Sequence, residues 1–342
     1  MSLLDIKFQF PHLMQRIAEE EEALTKKQIS TSPQFEYIID EKQIGIEHPV
    51  RVFNLEGLGF TKNEASEFIF LFADDQGMAP DSYTMKIKQV SFLSSAFPKE
   101  KERLKNFLKC YYASEIDLSE VRDLMDELSK DPEKIAEFNC ISPTRDRSIS
   151  RFVLSRNSNE NWSIAEENIE NFYQKVSDSD YRSKPRKFNR TSSYKTSSYL
   201  FRKFIRAVAD MVEEIEGREN LESIKMTLHE VRVFAPGLPA PEGAHQDGVP
   251  YVITACVIER ESIEGAKSIV FNGLPSSENT CLEIILKPGM ICFHSDQGSP
   301  IWHDITGINP VPDVPTSKLS DKRPSRKTLG LDIEIKRKTV SF

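Results

Sequence analysis

From residue 224 to the C-terminus the chain is written in short runs rich in β-branched residues, separated by Gly, Pro, Ser and Asn. IKMTLHEVRVF, YVITACVIE, KSIVFNG, CLEIILKPGMICFH, IWHDITGI and TLGLDIEI follow one another at close intervals. Closely spaced strands with turn signals between them point to a β-sandwich or barrel, the jelly roll included. Ahead of them the pattern is helical. LMQRIAEEEEALTKK, KEKERLKNFLKCYY, DLSEVRDLMDELSKD and YLFRKFIRAVADMVEEIEG set apolar residues three and four apart, the last with Gly217 as its stop. Asp117 with Glu120, and Ser163 with Glu166 ahead of ENIENFYQKV, read as capping boxes. Helices gathered before strands define an α+β chain. SPTRDRS, at 142–148, marks the boundary between a mainly helical N-terminal region, 1–145, and a strand-rich domain, 146–342.

Composition narrows the function. A net charge of -8 argues against nucleic acid as the main partner, although RSKPRKFNR at 182–190 and KRKTV near the end are locally basic. Five scattered cysteines with no CxxC argue against a disulfide framework or a cysteine-rich zinc site. The first residues lack the apolar core of a signal peptide, and no window is apolar for long enough to span a bilayer. The expectation is a cytoplasmic protein without a membrane partner.

PEGAHQDGVPY, at 241–251, carries the chemistry. His245 and Asp247 lie two apart, so in an extended segment both side chains leave the same face. Two histidines and one carboxylate form the facial ligand set of non-haem Fe(II) oxygenases. Of the other histidines, His12 and His48 fall in the helical region and His229 reads as a structural histidine of the preceding strand. His294 and His303, in MICFHSDQGSPIWHDITGI, both remain open as the third ligand.

PAPEGAHQDGVPYV, the EGAKS stretch at 264–268, FHSDQGSPIWHDITGINP and RKTLGLDI, in this order, resemble the 2-oxoglutarate/Fe(II) dioxygenases that hydroxylate free L-amino acids, the isoleucine 4-hydroxylase-like group. The resemblance spans roughly 181–335 and implies a double-stranded β-helix (jelly roll) core flanked by helices. It implies Fe(II) and 2-oxoglutarate as cofactor and co-substrate, with His245, Asp247 and His303 as ligands and His294 beside them. Arg326 matches the arginine that takes the far carboxylate of 2-oxoglutarate, with Arg323 and Lys327 as alternatives in the same basic cluster. Thr306 stands where the family also has threonine, as a further co-substrate contact. Related halogenases have a small residue at the carboxylate position, so Asp247 favours hydroxylation, or oxidation of a thioether. The chain departs from the pattern in the Pro-rich stretch PVPDVPTSKLSDKRPS, read as an inserted loop, and in Gly265-Ala266 where the family pairs glycines.

The implied reaction consumes O₂ and releases succinate and CO₂. A free amino acid would need anchors for its carboxylate and ammonium, and Arg232 and the Arg182–Arg190 cluster are candidates for the first. Three alternatives stand beside this reading: the same chemistry on a protein side chain or larger metabolite, a non-catalytic jelly-roll binding module, and an interaction protein whose N-terminal region makes the contacts.

Overall fold

A computed structural model describes residues 36–174, 181–312 and 323–338. The helix expected over LMQRIAEEEEALTKK and most of the Pro-rich stretch lie outside them. The strands are β1 (Tyr37–Ile39), β2 (Val50–Asn54), β3 (Ala79–Pro80), β4 (Arg145–Arg156), β5 (Trp162–Glu167), β6 (Asn189–Arg190), β7 (Leu221–Phe234), β8 (Tyr251–Glu261), β9 (Ile263–Gly265), β10 (Lys267–Asn272), β11 (Thr280–Ile285), β12 (Met290–Ser295), β13 (Ile301–Ile305), β14 (Ile308–Pro310) and β15 (Ser325–Arg337). The helices are α1 (Glu41–Ile44), α2 (Lys62–Ala73), α3 (Ser82–Ala96), α4 (Lys101–Tyr112), α5 (Arg122–Leu128), α6 (Pro132–Asn139), α7 (Ser193–Thr196) and α8 (Tyr199–Glu216).

The main sheet runs β1-β2-β12-β8-β15-β7-β4-β3, with β5 and β6 also on β4, and a smaller sheet runs β11-β10-β13. Every pairing is antiparallel except β4 with β6. The six expected runs all form strands, CLEIILKPGMICFH dividing into β11 and β12 at Lys287–Gly289. YLFRKFIRAVADMVEEIE is one helix, begun by a Ser198 cap on Phe201 and stopped at Gly217.

Period-two alternation gives the main sheet two different faces. One face packs Phe152, Met226, Leu228, Leu329 and Leu331 against α2 and α8, through Phe68, Phe204 and Val208 among others. On the other face Val52, Ala255, Val257 and Cys292 meet Val270, Leu282 and Ile301 of the small sheet. A third core, with Leu93, Leu104, Phe107, Leu124 and Phe138, joins α3 to α6 into a helical cluster.

Two expectations need correction. Ser163 and Glu166 do not cap a helix; they sit in β5, paired with Ser155 and Phe152 of β4. Pairing wins because Trp162 is buried and its indole N–H reaches Asp210 at 2.7 Å, which a helix starting at this point would forgo. Strands also begin well before residue 224. β2, from within the region expected to be helical, pairs with β12, placing residues 50–54 inside the main sheet. Among the described residues no helix is long and apolar enough to cross a membrane.

Candidate metal and co-substrate site

His245 lies in the loop between β7 and β8, and His303 lies in β13. They exchange both backbone hydrogen bonds, at 2.9 and 3.1 Å, as a directly opposed antiparallel pair. Their rings therefore leave the same face, with centroids 4.3 Å apart. His245 Nδ1 stands 2.7 Å from the Gly243 carbonyl, so Nδ1–H donates there and Nε2 is the nitrogen turned toward the site. Asp247 spans the two rings: Oδ1 is 3.5 Å from His245 Nε2 and Oδ2 is 3.5 Å from His303 Nε2. Atoms bound side by side to one first-row ion at about 2.1 Å stand about 3 Å apart, so small side-chain adjustments would let this trio share an ion.

The electrostatics of the ion-free cluster follow from that crowding. Burial opposes charge on His245, but the Asp247 carboxylate and Glu242 outweigh it and raise the imidazole to about 9. His303, buried and facing a charged His245, is driven well below its ordinary value. Burial disfavours the Asp247 carboxylate, yet His245 and then His303 hold it far below the usual range. A cation would supply the positive charge that His245 otherwise provides.

Asp296, just past β12, was not singled out in the sequence. Its Oδ2 accepts from the backbone N–H groups of Asp247 at 2.8 Å, Gly248 at 2.9 Å and Val249 at 3.4 Å. Gly248 has φ +86°, the left-handed region where glycine is favoured, and the turn it makes aims those N–H groups inward. Asp296 Oδ1 lies 3.7 Å from His303 Nδ1. One fully buried carboxylate thus fixes the HQDG loop and backs the distal histidine. Its sequence signal is its place in FHSDQGSPIWHDITGINP, a strand end with an aspartate, and the turn composition around it.

A second trio, His294, Asp296 and His303, also brings possible donor atoms within 4.8 Å of one another. His294 is fully buried, its Nδ1 directed to the Ser295 carbonyl at 2.6 Å. It does not reach the cavity, whereas His245, Asp247 and His303 all line it. The latter trio lines the cavity in full, the former through His303 alone.

That cavity, of about 150 Å³, has a floor made from inward positions of three neighbouring strands. β4 gives Arg145 and Arg147, β7 gives His229, Val231 and Val233, and β15 gives Arg326, Thr328, Gly330 and Asp332. Arg326 is 3% exposed, and its Nε and Nη2 find no partner among the described residues. Burial, then Arg260, lowers it to about 9, so at neutral pH it remains a desolvated cation facing the cavity. The alternatives are committed elsewhere. Arg323 is exposed over the Phe234 ring, and Lys327 points to the opposite face, where it meets Asp75 and Glu230 at 2.9 Å each. Thr306 is not brought to the cavity: its hydroxyl accepts the Lys267 N–H at 2.9 Å and fastens the start of β10. Ser268, from the EGAKS stretch, lines the cavity instead.

His229 forms part of the same floor, with both ring nitrogens engaged, by Asp332 at 2.9 Å and Arg147 at 2.7 Å. Arg232 faces away from the cavity, toward Asp75 and Glu259. Arg182 and Arg186, from the basic 182–190 segment, do line it. So do Ile87 of α3 and Tyr112 of α4, which makes the helical cluster part of the cavity wall.

Two imidazoles and a carboxylate that could hold an ion, beside a cavity floored by an unsatisfied arginine, are the arrangement an iron-dependent oxygenase would need. The 2OG-Fe dioxygenase family model matches residues 122–316, more than half of the chain, and the protein belongs to that family. The family uses Fe(II) and 2-oxoglutarate, and the protein is an oxidoreductase of this type. No curated protein matches the sequence significantly. Similar solved structures include a bsmA homolog from Methylobium petroleophilum PM1, at 19% identity and TM-score 0.46 over 56% of this chain and 71% of that one. IDO from Bacillus thuringiensis is similar at 17% identity and TM-score 0.40, over 56% and 78%. The Fe(II)/(alpha)ketoglutarate-dependent dioxygenase TqaL is similar at 14% identity and TM-score 0.42, over 81% and 90%.

Proposed function

We propose that His245, Asp247 and His303 hold the Fe(II), that Arg326 binds the far carboxylate of 2-oxoglutarate, and that the enzyme hydroxylates a small molecule, a free L-amino acid. The observation that carries this reading is Arg326, a buried fork of donors without a partner in the cavity that the ligand trio also lines. Burying an arginine without an anion is costly, and a carboxylate held by two parallel bonds removes that cost. Thr328 and Ser268 add hydroxyls at the cavity surface. When bound, the ferrous ion would supply the oxidation of substrate by O₂, coupled to decarboxylation of the 2-oxo acid to succinate and CO₂.

The chain's own groups would orient and exclude. Gly243 keeps His245 in the tautomer with Nε2 free, and Asp296 holds Asp247 by its backbone. The two faces of the main sheet and the small sheet packed on one of them are what a double-stranded β-helix core would require. We assign the chemistry to 146–342 and regard 1–145 as an N-terminal region whose helices help enclose the substrate, with Ile87 and Tyr112 at the wall. The amino-acid reading rests on the resemblance of the PEGAHQDG, EGAKS and WHDITGI elements and on the arginines at the cavity.

The test is 2-oxoglutarate decarboxylation by the full-length enzyme with Fe(II), with and without each of the twenty amino acids. A several-fold stimulation by at least one supports the reading; stimulation by none removes the free amino acid while leaving the family chemistry in place. Arg326→Leu should raise the KM for 2-oxoglutarate by roughly a hundredfold, the worth of two charge-assisted bonds. An unchanged KM would assign the co-substrate elsewhere.

A further inference from the structure

Five arginines line the cavity, of which Arg326 is assigned to 2-oxoglutarate, beside the acidic Glu242, Asp247, Asp304 and Asp332. Arg145 is matched, its Nε lying 2.6 Å from the buried Asp81. Arg147 and Arg186 have no such contact, although Asp81 and Asp332 act on Arg147 from a distance. Arg147 meets His229 Nδ1, a neutral acceptor. Arg186, 3% exposed, donates to the Tyr112 hydroxyl at 3.1 Å and to Gln174 Oε1 at 2.6 Å. Each keeps a buried Nε without a partner, and neither forms an ion pair with a described carboxylate. Phe172 and Phe188 lie under both guanidiniums, at 5.7 and 4.7 Å for Arg147 and 4.8 and 5.8 Å for Arg186. The rings orient the forks without neutralising them. Burial, then repulsion by Arg145 and Arg186, lowers Arg147 to about 10, which leaves it charged at neutral pH. Two cations, Arg186 buried and Arg147 half-buried, both lining one cavity, are completed by an anion that enters it.

Arg326 is a separate position. Arg147 stands opposite Val231, and Val231 opposite Thr328, so Arg147 and Arg326 are two strands and two residues apart. At about 4.8 Å per strand and about 3.4 Å per residue their Cα atoms are separated by roughly 12 Å. Their charged surroundings differ as well: Arg260 acts on Arg326, whereas Arg145 and Arg186 act on Arg147.

The geometry points to a second oxyanion subsite, in which Arg147 and Arg186 together bind the acidic group of the substrate, a carboxylate or a phosphate. This rests on the proposed function of the neighbouring site and deepens it by fixing where the substrate's acidic end lies. Gln174 ties the subsite to the metal trio: its Oε1 accepts from Arg186 and its Nε2 donates to Asp247 Oδ1 at 2.9 Å. A substrate seated on Arg186 is thereby linked through Gln174 to the carboxylate proposed to hold the iron.

The test uses full-length protein with Fe(II) under anaerobic conditions, saturated with 2-oxoglutarate. Potassium acetate or inorganic phosphate is titrated against potassium chloride at equal ionic strength, and the melting temperature is read. We expect a saturable rise beyond the chloride control, lost in Arg147→Gln, and the anion with the larger rise names the acidic group. Should Arg147→Gln not fold, Arg147→Lys decides: it keeps the charge but not the fork, and should raise the half-saturating anion concentration at least about fivefold. No anion-specific rise in the parent protein, or a half-saturation unchanged by either variant, overturns the subsite. The rise caused by 2-oxoglutarate itself is read separately in Arg326→Leu; if it survives there, the co-substrate assignment fails while the anion result keeps its meaning.

Discussion

At the residue scale, chemistry sits on a few side chains whose neighbours are fixed by backbone pairing. His245 and Asp247 were legible in the sequence because a two-residue spacing has one meaning in an extended segment. His303 was legible only through its surrounding motif; spacing alone left His294 equal to it, and what separates them is that His294 is sealed from the cavity. Metal analysis after equilibrium dialysis should show His245→Ala, Asp247→Ala and His303→Ala each losing nearly all bound Fe(II), with His294→Ala keeping most of it. Equal loss in His294→Ala would move the site to the His294–Asp296–His303 trio. Gln174 was not legible, because a glutamine in a loop looks the same whether it faces solvent or a ligand, and Asp296 and Ser268 were read only as parts of the motif elements that carry them, without a role. Thr306 shows the converse: a residue in the right motif whose hydroxyl is spent on the Lys267 backbone.

At the element scale, strands with one apolar face were read correctly and β4 was missed for a physical reason. RDRSISRFVLSR presents Arg145 and Arg147 to the cavity and Ser148 to the opposite side, so the polar-apolar alternation that announces a strand is absent from its first half. The opposite side holds a buried ionic layer: Glu230 is fully buried and receives Lys195 at 2.7 Å, Lys327 at 2.9 Å and the Ser148 hydroxyl at 3.0 Å. Lys327 also meets the Asp74 carbonyl and the Asp75 carboxylate at the end of α2. Lys327→Met would leave Glu230 with one cation fewer inside the protein and should cost about 3 kcal/mol in urea unfolding. A cost below about 0.5 kcal/mol, typical of exposed pairs, would mean that water reaches this layer.

At the scale of the whole molecule, the N-terminal region and the strand-rich part are joined by charge as well as by β2. Asp75 reaches Arg232 and Lys327, and at the boundary itself the buried Asp81 reaches Arg145, the first residue of β4. Burial disfavours the Asp81 carboxylate, but Arg145, then Arg147, outweigh it and hold its pKa below the ordinary 3.8. The folded state therefore binds this proton less readily than the unfolded chain. The stabilisation is fully present above about pH 3.8 and is lost as pH falls through the lower folded value. Unfolding free energies of Asp81→Asn and the parent protein should differ at neutral pH by about 3 kcal/mol and converge in acid below that point. A gap independent of pH would show that the variant acts through packing alone. The sheet that carries both the arginine floor and the ionic layer has a further consequence. If β15 slipped by one residue during folding, Lys327 would swing into the cavity and Arg326 would drop among Glu230 and its partners. Each side would still receive a cation, an ammonium for a fork and a fork for an ammonium, so net charge alone does not hold the register; Leu329, Leu331 and Ile333, which would turn from the helix-packed core toward the cavity, do.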